Sequence, residues 1–309
     1  MAKRDFISVH DLSAEQFTGL LRLGIEVKAD PGSYTDKLSG QTLGMIFEKS
    51  STRTRVSFEV GTLQLGGHAL FLSSRDIQLG RGETIADTAQ VLSRYLDGVM
   101  ARTFEHQTVL DLASYGSIPV INGLTDDLHP CQVMADFLTL TEVFGDLAGR
   151  KIAYVGDGNN MAHSLMLAAA KAGMDIAIAS PERYEVQAGY VELARADAAA
   201  AGTKVELTHD PEQAVRGASA VYTDVWASMG QEEEAQERLR AFDGFQIDRE
   251  LMSAARPEAV FLHCLPAHRG EEVSAEVADG AQSRIFDQAE NRLHAQKAIM
   301  LWLMAGVEL

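Results

Sequence analysis

Residues 42–73 read TLGMIFEKSSTRTRVSFEVGTLQLGGHALFLS, and the way this stretch divides decides the architecture. Thr42 to Glu48 is a short apolar run of the buried-strand kind. Val56, Val60 and Leu63 then recur at helical spacing, and Gly66-Gly67 supplies a C-terminal stop before a second strand-like run, His68 to Ser73. Strand, helix and strand in succession are the unit from which a parallel sheet with helices on its faces is built. Within it, SSTRTR (Ser50 to Arg55) sets Arg53 and Arg55 in the first turn of the helix. Free backbone N–H groups and the helix dipole already make that end positive, so each added cation costs roughly 0.3–1 kcal/mol. A bound anion at this point would offset the cost.

The alternation continues in both directions. The first half adds a helix over ETIADTAQVLSRYL (83–96), a strand DGVMAR (97–102), another helix, a strand IPVING (118–123) and a longer helix, CQVMADFLTLTEVFG (131–145). The pattern restarts at Lys151 with KIAYVGD, a helix, DIAIAS (175–180), an Ala-rich helix near 191–201, KVELT (204–208), AVYTDV (220–225) and AVFLHCLP (259–266). The fold class this predicts is α/β, with two similar-sized domains, residues 1–145 and 146–289, each a mostly parallel sheet flanked by helices. A last helix, within 290–309, lies beyond the second set and is expected to pack back on the first domain.

At 309 residues and 46% apolar, the chain is long enough for two packed cores and too apolar for a disordered one. A net charge of −17 repels a nucleic-acid backbone and an anionic membrane surface, and no extended basic patch counters it. The positive charge near Arg53 is a local island, suited to one small anion. MAKRDFISVHDLS has basic residues without the apolar core of a secretory signal. AIMLWLMAGV (298–307) is about half of the roughly 20 residues that span a bilayer, and reads as a buried helix. Cys131 and Cys264, the only cysteines, are expected to be free thiols in a reducing cytoplasm.

In open α/β sheets, ligands gather beyond the carboxyl ends of the strands. Polar clusters follow the strand-like runs: SSTRTR, ART (101–103) and HPCQ (129–132) in the first half, GDGNN (156–160), DVWASMG (224–230) and HCLP (263–266) in the second. A cleft between the domains would collect them all. Ser51, Thr52 and Thr54 offer hydroxyl and backbone donors, and an arginine can grip a phosphate through paired hydrogen bonds. Arg102, His129 and Gln132 combine a cation, an imidazole and an amide, a set suited to a carbonyl oxygen that becomes an oxyanion. Asp224 at a strand end is a seat for an ammonium group, and Asn159 and Asn160 offer amides to a carboxylate or an amine.

Each cluster also has a plainer reading. Arg102 alone is a salt-bridged arginine, His129 a surface histidine, either asparagine a helix N-cap, Cys264 a buried inert thiol, and Glu232 to Glu234 a solvated helix start. GDGNN resembles a dinucleotide fingerprint, with Gly156 and Gly158 after a strand and Glu182 downstream, but Met161 stands where the third glycine belongs. His129, Cys131, His263 and Cys264 lack the ligand spacing of structural zinc sites, so no metal is expected and no cofactor is required.

Taken together, STRTR, HPCQ, DVWASMG and HCLP in this order resemble the ornithine carbamoyltransferases over essentially the whole chain. STRTRVSFE is shared with the wider transcarbamoylase family; DVWASMG and HCLP look like its ornithine-specific elements. The resemblance implies that Ser51, Thr52, Arg53 and Thr54 hold the phosphate of carbamoyl phosphate. It further implies that Arg102, His129, Pro130, Cys131 and Gln132 orient and polarise the carbamoyl group, and that Arg292 in AENR completes this site. Gln78 in DIQLG would reach a neighbouring subunit's site in a homo-oligomer built on trimers, although some relatives carry a histidine there and a lysine near Gly82. Asn160, Asp224, Ser228 and Met229 would bind L-ornithine, with Cys264 and Leu265 lining the reacting centre.

The chemistry implied needs no covalent intermediate: the neutral δ-amine attacks the carbonyl carbon, an oxyanion forms, and phosphate leaves. Arg102, His129 and Thr54 are the candidate oxyanion donors, while Asp224 and Cys264 would hold the amine. The alternatives are a nicotinamide-dependent dehydrogenase using GDGNN, or a carbamoyl-phosphate-binding protein without turnover.

Overall fold

After helix α1 (Ala14–Ala29), the chain forms strand β1 (Thr42–Phe47), helix α2 (Thr52–Gln64) and strand β2 (His68–Ser73), and β1 and β2 pair in parallel from Thr42 opposite His68 to Phe47 opposite Ser73. The computed structural model describes residues 3–74, 77, 82–227 and 235–309. Helix α3 (Ile85–Leu92), β3 (Gly98–Arg102), α4 (His106–Tyr115), β4 (Val120–Leu124) and α5 (Pro130–Phe144) continue the pattern, and the sheet order is β2-β1-β3-β4. β1, β3 and β4 are almost wholly buried, which is why they read as continuous apolar runs. β2, at the edge, is half-exposed.

The second set comprises β5 (Lys151–Val155), α6 (Asn160–Lys171), β6 (Asp175–Ala179), α7 (Ala188–Ala201), β7 (Val205–Thr208), α8 (Pro211–Val215), β8 (Ala220–Thr223), α9 (Ala235–Ala241), α10 (Arg249–Ser253), β9 (Val260–His263) and α11 (Ala275–Ala278). Its sheet is parallel in the order β7-β6-β5-β8-β9. Small residues, among them Ala153, Ala177 and Ala179, let helices approach this sheet closely, and Phe242 packs among Tyr184, Trp226 and Phe245.

The final helix, α12 (Ile285–Leu303), starts earlier and stops sooner than the sequence suggests. The chain divides into one unit of Met1–Leu138 with Glu290–Leu309 and another of Thr139–Ala289. Within the first unit, α12 packs on α1 and α2: Lys28 Nζ donates to Asn291 Oδ1 at 2.9 Å, and the Thr62 hydroxyl lies 3.4 Å from Met300 Sδ.

Val56 and Leu63, which recur at helical spacing in the sequence, are 52% and 72% exposed, and the buried residues of α2 are Thr54, Phe58, Gly61 and Thr62. Added at Gly61, a Cβ would already meet Met300 Cε at 3.2 Å, so close approach of α12 selects small residues where a hydrophobicity pattern expects large ones. The stop at Gly66 stands: its φ of +86° is left-handed, and a Cβ there would lie 2.5 Å from the Thr35 carbonyl oxygen.

Candidate active site

In the first unit, the sheet order reverses between β1 and β3, the place where open α/β sheets bind ligands. SSTRTR follows β1 and Arg102 ends β3. The Ser51 hydroxyl caps α2 by accepting from the Thr54 N–H at 3.2 Å. Thr54 is buried, and its Oγ1 accepts from Arg292 Nη2 at 3.0 Å and from Arg102 Nη1 at 3.5 Å. With two guanidinium donors on its oxygen, the hydroxyl proton of Thr54 is left to donate elsewhere. Arg292 Nη1 also donates to Gln132 Oε1 at 2.6 Å, and Gln132 Nε2 donates to Asp136 Oδ1 at 2.7 Å. Strand β3, α2, α5 and the returning α12 therefore meet around one hydroxyl.

His129, just before α5, is buried in the same place. Its pKa is held well below the usual imidazole value, first by burial and then by the charges of Arg292, Arg102 and Arg53. The ring is thus neutral at neutral pH and can offer an N–H while the arginines supply the charge. Arg55 goes elsewhere: its guanidinium lies 3.9 Å from the centre of the Phe71 ring and 3.6 Å from Glu59. Cys131 does not turn its thiol to the arginines. Its Sγ donates to the Asn122 carbonyl at 3.3 Å, and burial pushes its pKa up to about 12. Pro130, the first residue of α5, and Cys131 can offer a ligand backbone groups rather than reactive side chains.

In the second unit the order reverses between β5 and β8. Asn159 caps α6, its Oδ1 accepting from the Met161 N–H at 2.9 Å and the Ala162 N–H at 3.3 Å, while its Nδ2 donates to Asp224 Oδ2 at 2.9 Å. The other oxygen of Asp224 accepts from the Val225 N–H at 2.8 Å and from Cys264 Sγ at 3.0 Å. The ends of three neighbouring strands, β5, β8 and β9, so bring Asn159, Asp224 and Cys264 together. Asn160 opens α6 beside its partner, half-buried. Tyr154 is buried, its pKa raised first by burial and then by the charges of Asp224 and Asp157; it stays protonated and donates to the Asp157 carbonyl at 2.9 Å.

Behind Cys264 lies a pair that sequence reading missed. His263 Nδ1 accepts from the Leu265 N–H at 2.9 Å, which places its proton on Nε2, 3.1 Å from Glu272 Oε1. Leu265 has a φ of +61°, a left-handed conformation costing a leucine about 1–3 kcal/mol, and the His263 bond helps impose it. Nothing in RGEEV marks Glu272 as buried; a glutamate nine residues from the histidine it orients has no local signature. Ligand atoms of Asp224, His263 and Cys264 lie within 4.8 Å of one another, as a metal site would need, but their hydrogen bonds already satisfy them. Gln78, Ser228 and Met229 lie outside the described residues.

GDGNN is built unlike a dinucleotide site. A Cβ on Gly158 would come within 2.3 Å of the Glu185 and Val186 backbone, so this glycine admits the chain itself. Met161 is buried at the start of α6.

Residues 4–142 match the family described as aspartate/ornithine carbamoyltransferase, carbamoyl-P binding domain, and residues 148–303 match aspartate/ornithine carbamoyltransferase, Asp/Orn binding domain. The chain is 60% identical over 304 residues to the ornithine carbamoyltransferase of Symbiobacterium thermophilum, covering 98% of each. It is 52% identical to the solved ornithine carbamoyltransferase of Pyrococcus furiosus, covering 99% of each chain with a TM-score of 0.95. The anabolic enzyme of Campylobacter jejuni aligns with a TM-score of 0.92 at 42% identity, over 97% of this chain and 98% of that one. Two parallel sheets with arginines gathered on Thr54 in one unit and Asp224 held by Asn159 and Cys264 in the other, matched end to end by these relatives, place the chain in the aspartate/ornithine carbamoyltransferase family.

Proposed function

We propose that the protein transfers the carbamoyl group of carbamoyl phosphate to the δ-amine of L-ornithine, giving L-citrulline and phosphate. The observation that carries this reading is the buried group of Arg102, Arg292, Thr54 and neutral His129, a fixed positive site with neutral donors beside it. Relatives 52–60% identical are named ornithine carbamoyltransferase, which supports ornithine over aspartate as the acceptor.

In this reading Ser51, Thr52, Arg53 and Thr54 hold the phosphate at the start of α2, where backbone N–H groups point outward. Arg102, His129 and Thr54 donate to the carbonyl oxygen as it gains charge, with Arg292 and Gln132 fixing their positions. Preorganised donors of this kind are worth about 2.7–4 kcal/mol each. The δ-nitrogen lone pair forms the new C–N bond, the C–O bond to phosphate breaks, and the nitrogen sheds a proton as phosphate departs. Asp224 and Cys264 hold the amine, Asn160 contributes to amino-acid binding, and Leu265 lines the reacting carbon. Ser228 and Met229 complete the ornithine subsite, and residues 1–145 with 290–309 form the carbamoyl phosphate domain.

The same reading gives a cytoplasmic homotrimer, or a multiple of it, in which Gln78 serves a neighbouring site. Among the described residues no helix is long and apolar enough to cross a membrane. The test is product formation by purified protein with carbamoyl phosphate and, in parallel, ornithine, aspartate, putrescine or acetylornithine. Citrulline from ornithine alone is expected. Carbamoyl phosphate binding without product from any acceptor would overturn the reading in favour of a binding protein.

A further inference from the structure

The proposed chemistry makes no use of Arg238 or Asp157, yet both are buried, 6% and 8% exposed. Arg238 lies on α9 within the acidic run QEEEAQERLR, a few residues beyond the glutamates 232–234 that read as a solvated helix start. Its Nη1 instead donates to Asp157 Oδ2 at 2.9 Å and to the Trp226 carbonyl at 2.8 Å, and its guanidinium lies 4.9 Å from the centre of the Tyr184 ring. These partners come from three segments: the turn after β5, the chain beyond β8 and the loop after β6.

We propose that Arg238 is a positioning residue for the ornithine subsite, fixing the carboxylate of Asp224 by tying together the two backbone segments that hold it. Trp226 stands two residues beyond Asp224. Asp157 stands two residues before Asn159, whose Nδ2 donates to Asp224 Oδ2 at 2.9 Å. The guanidinium thus closes a ring that runs through Asp157, Asn159, Asp224 and Trp226 back to itself. Tyr154 braces the same ring from below through the Asp157 carbonyl. A buried ion pair is weak evidence of stabilisation, because desolvation offsets much of its attraction. Its geometric effect is direct: with the ring open, Asp224 keeps its partners Val225, Asn159 and Cys264, but the 157–159 and 224–226 segments are no longer joined through Arg238. Misplacement of a substrate-holding group by about 1 Å can cost on the order of 100-fold in rate.

This inference rests on the ornithine reading of Asp224. The test compares wild type with Arg238→Met, Arg238→Lys and Asp157→Asn in steady-state kinetics with ornithine, calorimetric binding of carbamoyl phosphate, and thermal melts. Arg238→Met should raise KM for ornithine at least about 10-fold and lower kcat, with carbamoyl phosphate affinity unchanged within about twofold. Arg238→Lys, keeping the charge but not the fork, should fall between; Asp157→Asn should shift KM in the same direction. A folded Arg238→Met with wild-type KM and kcat, or one that loses both ligands equally, overturns the proposal. Should the methionine variant not fold, the lysine variant decides: a raised KM supports positioning, an unchanged one overturns it. Absence of ornithine turnover in the wild type would instead overturn the parent reading.

Discussion

Arg53 and Arg55 stand two residues apart in one helical turn, yet their surroundings separate them. Arg55 is occupied by Phe71 and Glu59, whereas the charge of Arg53 is felt by His129 alongside those of Arg102 and Arg292. Arg53→Ala should therefore weaken carbamoyl phosphate binding by about 1.5–3 kcal/mol, the worth of a charged hydrogen bond. Arg102→Ala should mainly lower kcat, by on the order of 100- to 1,000-fold, as for loss of one oxyanion donor. Equal losses of kcat from both, with affinity unchanged, would contradict this division. The histidines give a second expectation. His106, His129 and His294 all have pKa values lowered chiefly by burial. Below about pH 6.5 the unfolded chain takes up protons that the folded chain refuses, so stability falls as pH drops, at up to about 1.4 kcal/mol per pH unit for the fully buried His129 and by less for His106 and His294, whose contact with solvent screens the effect. Above that range these groups add no slope. Urea melts from pH 8 to 5 should show it, and His129→Gln should flatten the acid limb. A midpoint constant down to pH 5 would argue that these rings are charged in the fold.

At the scale of elements, the strands and the polar clusters at their carboxyl ends were legible, because a buried parallel strand must be apolar and the loop after it polar. Less legible was what closes each site. Arg292 was reached only through family resemblance, since an arginine in the first half of a helix carries no mark of pointing into a site formed by residues about 160 to 240 positions earlier. Glu272 and Arg238 were hidden for the same reason: a charged residue in a polar string looks solvated whether or not the fold buries it. Helix α2 differs in the opposite direction: Val56 and Leu63 are exposed, and beside Phe58 its buried residues are the small Thr54, Gly61 and Thr62. The turn before α6 offers the clearest check on close packing. Gly158 donates its N–H to the Tyr184 carbonyl at 2.7 Å and leaves no room for a methyl group. Gly158→Ala should destabilise by about 1–3 kcal/mol through overpacking and displace Asn159 and hence Asp224. Calorimetry would report the first effect and a raised KM for ornithine the second; an unchanged melting temperature would mean that the 184–186 backbone yields freely.

On the scale of the whole molecule, the two units differ in how the chain builds them. Thr139–Ala289 is continuous, while the first unit is assembled from Met1–Leu138 and the returning segment Glu290–Leu309. That segment supplies Ile299, Met300 and Leu301 to the buried core as well as Arg292 to Thr54 and Gln132. A chain ended at Ala289 should therefore lose carbamoyl phosphate binding and the cooperative melting of the first unit, and keep the secondary structure of the second. Circular dichroism with calorimetric titration would test this. Retained carbamoyl phosphate affinity in the truncated chain would show that α12 is dispensable.

The return of α12 also sets an order in time. A ribosome makes residues from the N-terminus onward, at about 5–20 per second, so the strands of the first unit emerge early and wait for a helix made only after the whole second unit. The continuous unit meets no such delay. Until residues 290–303 have been released, Thr54 and Gln132 lack the Arg292 guanidinium that joins them. Translation that stops short of Arg292 should therefore yield a protein that does not bind carbamoyl phosphate, instead of one that sequesters it without transferring it.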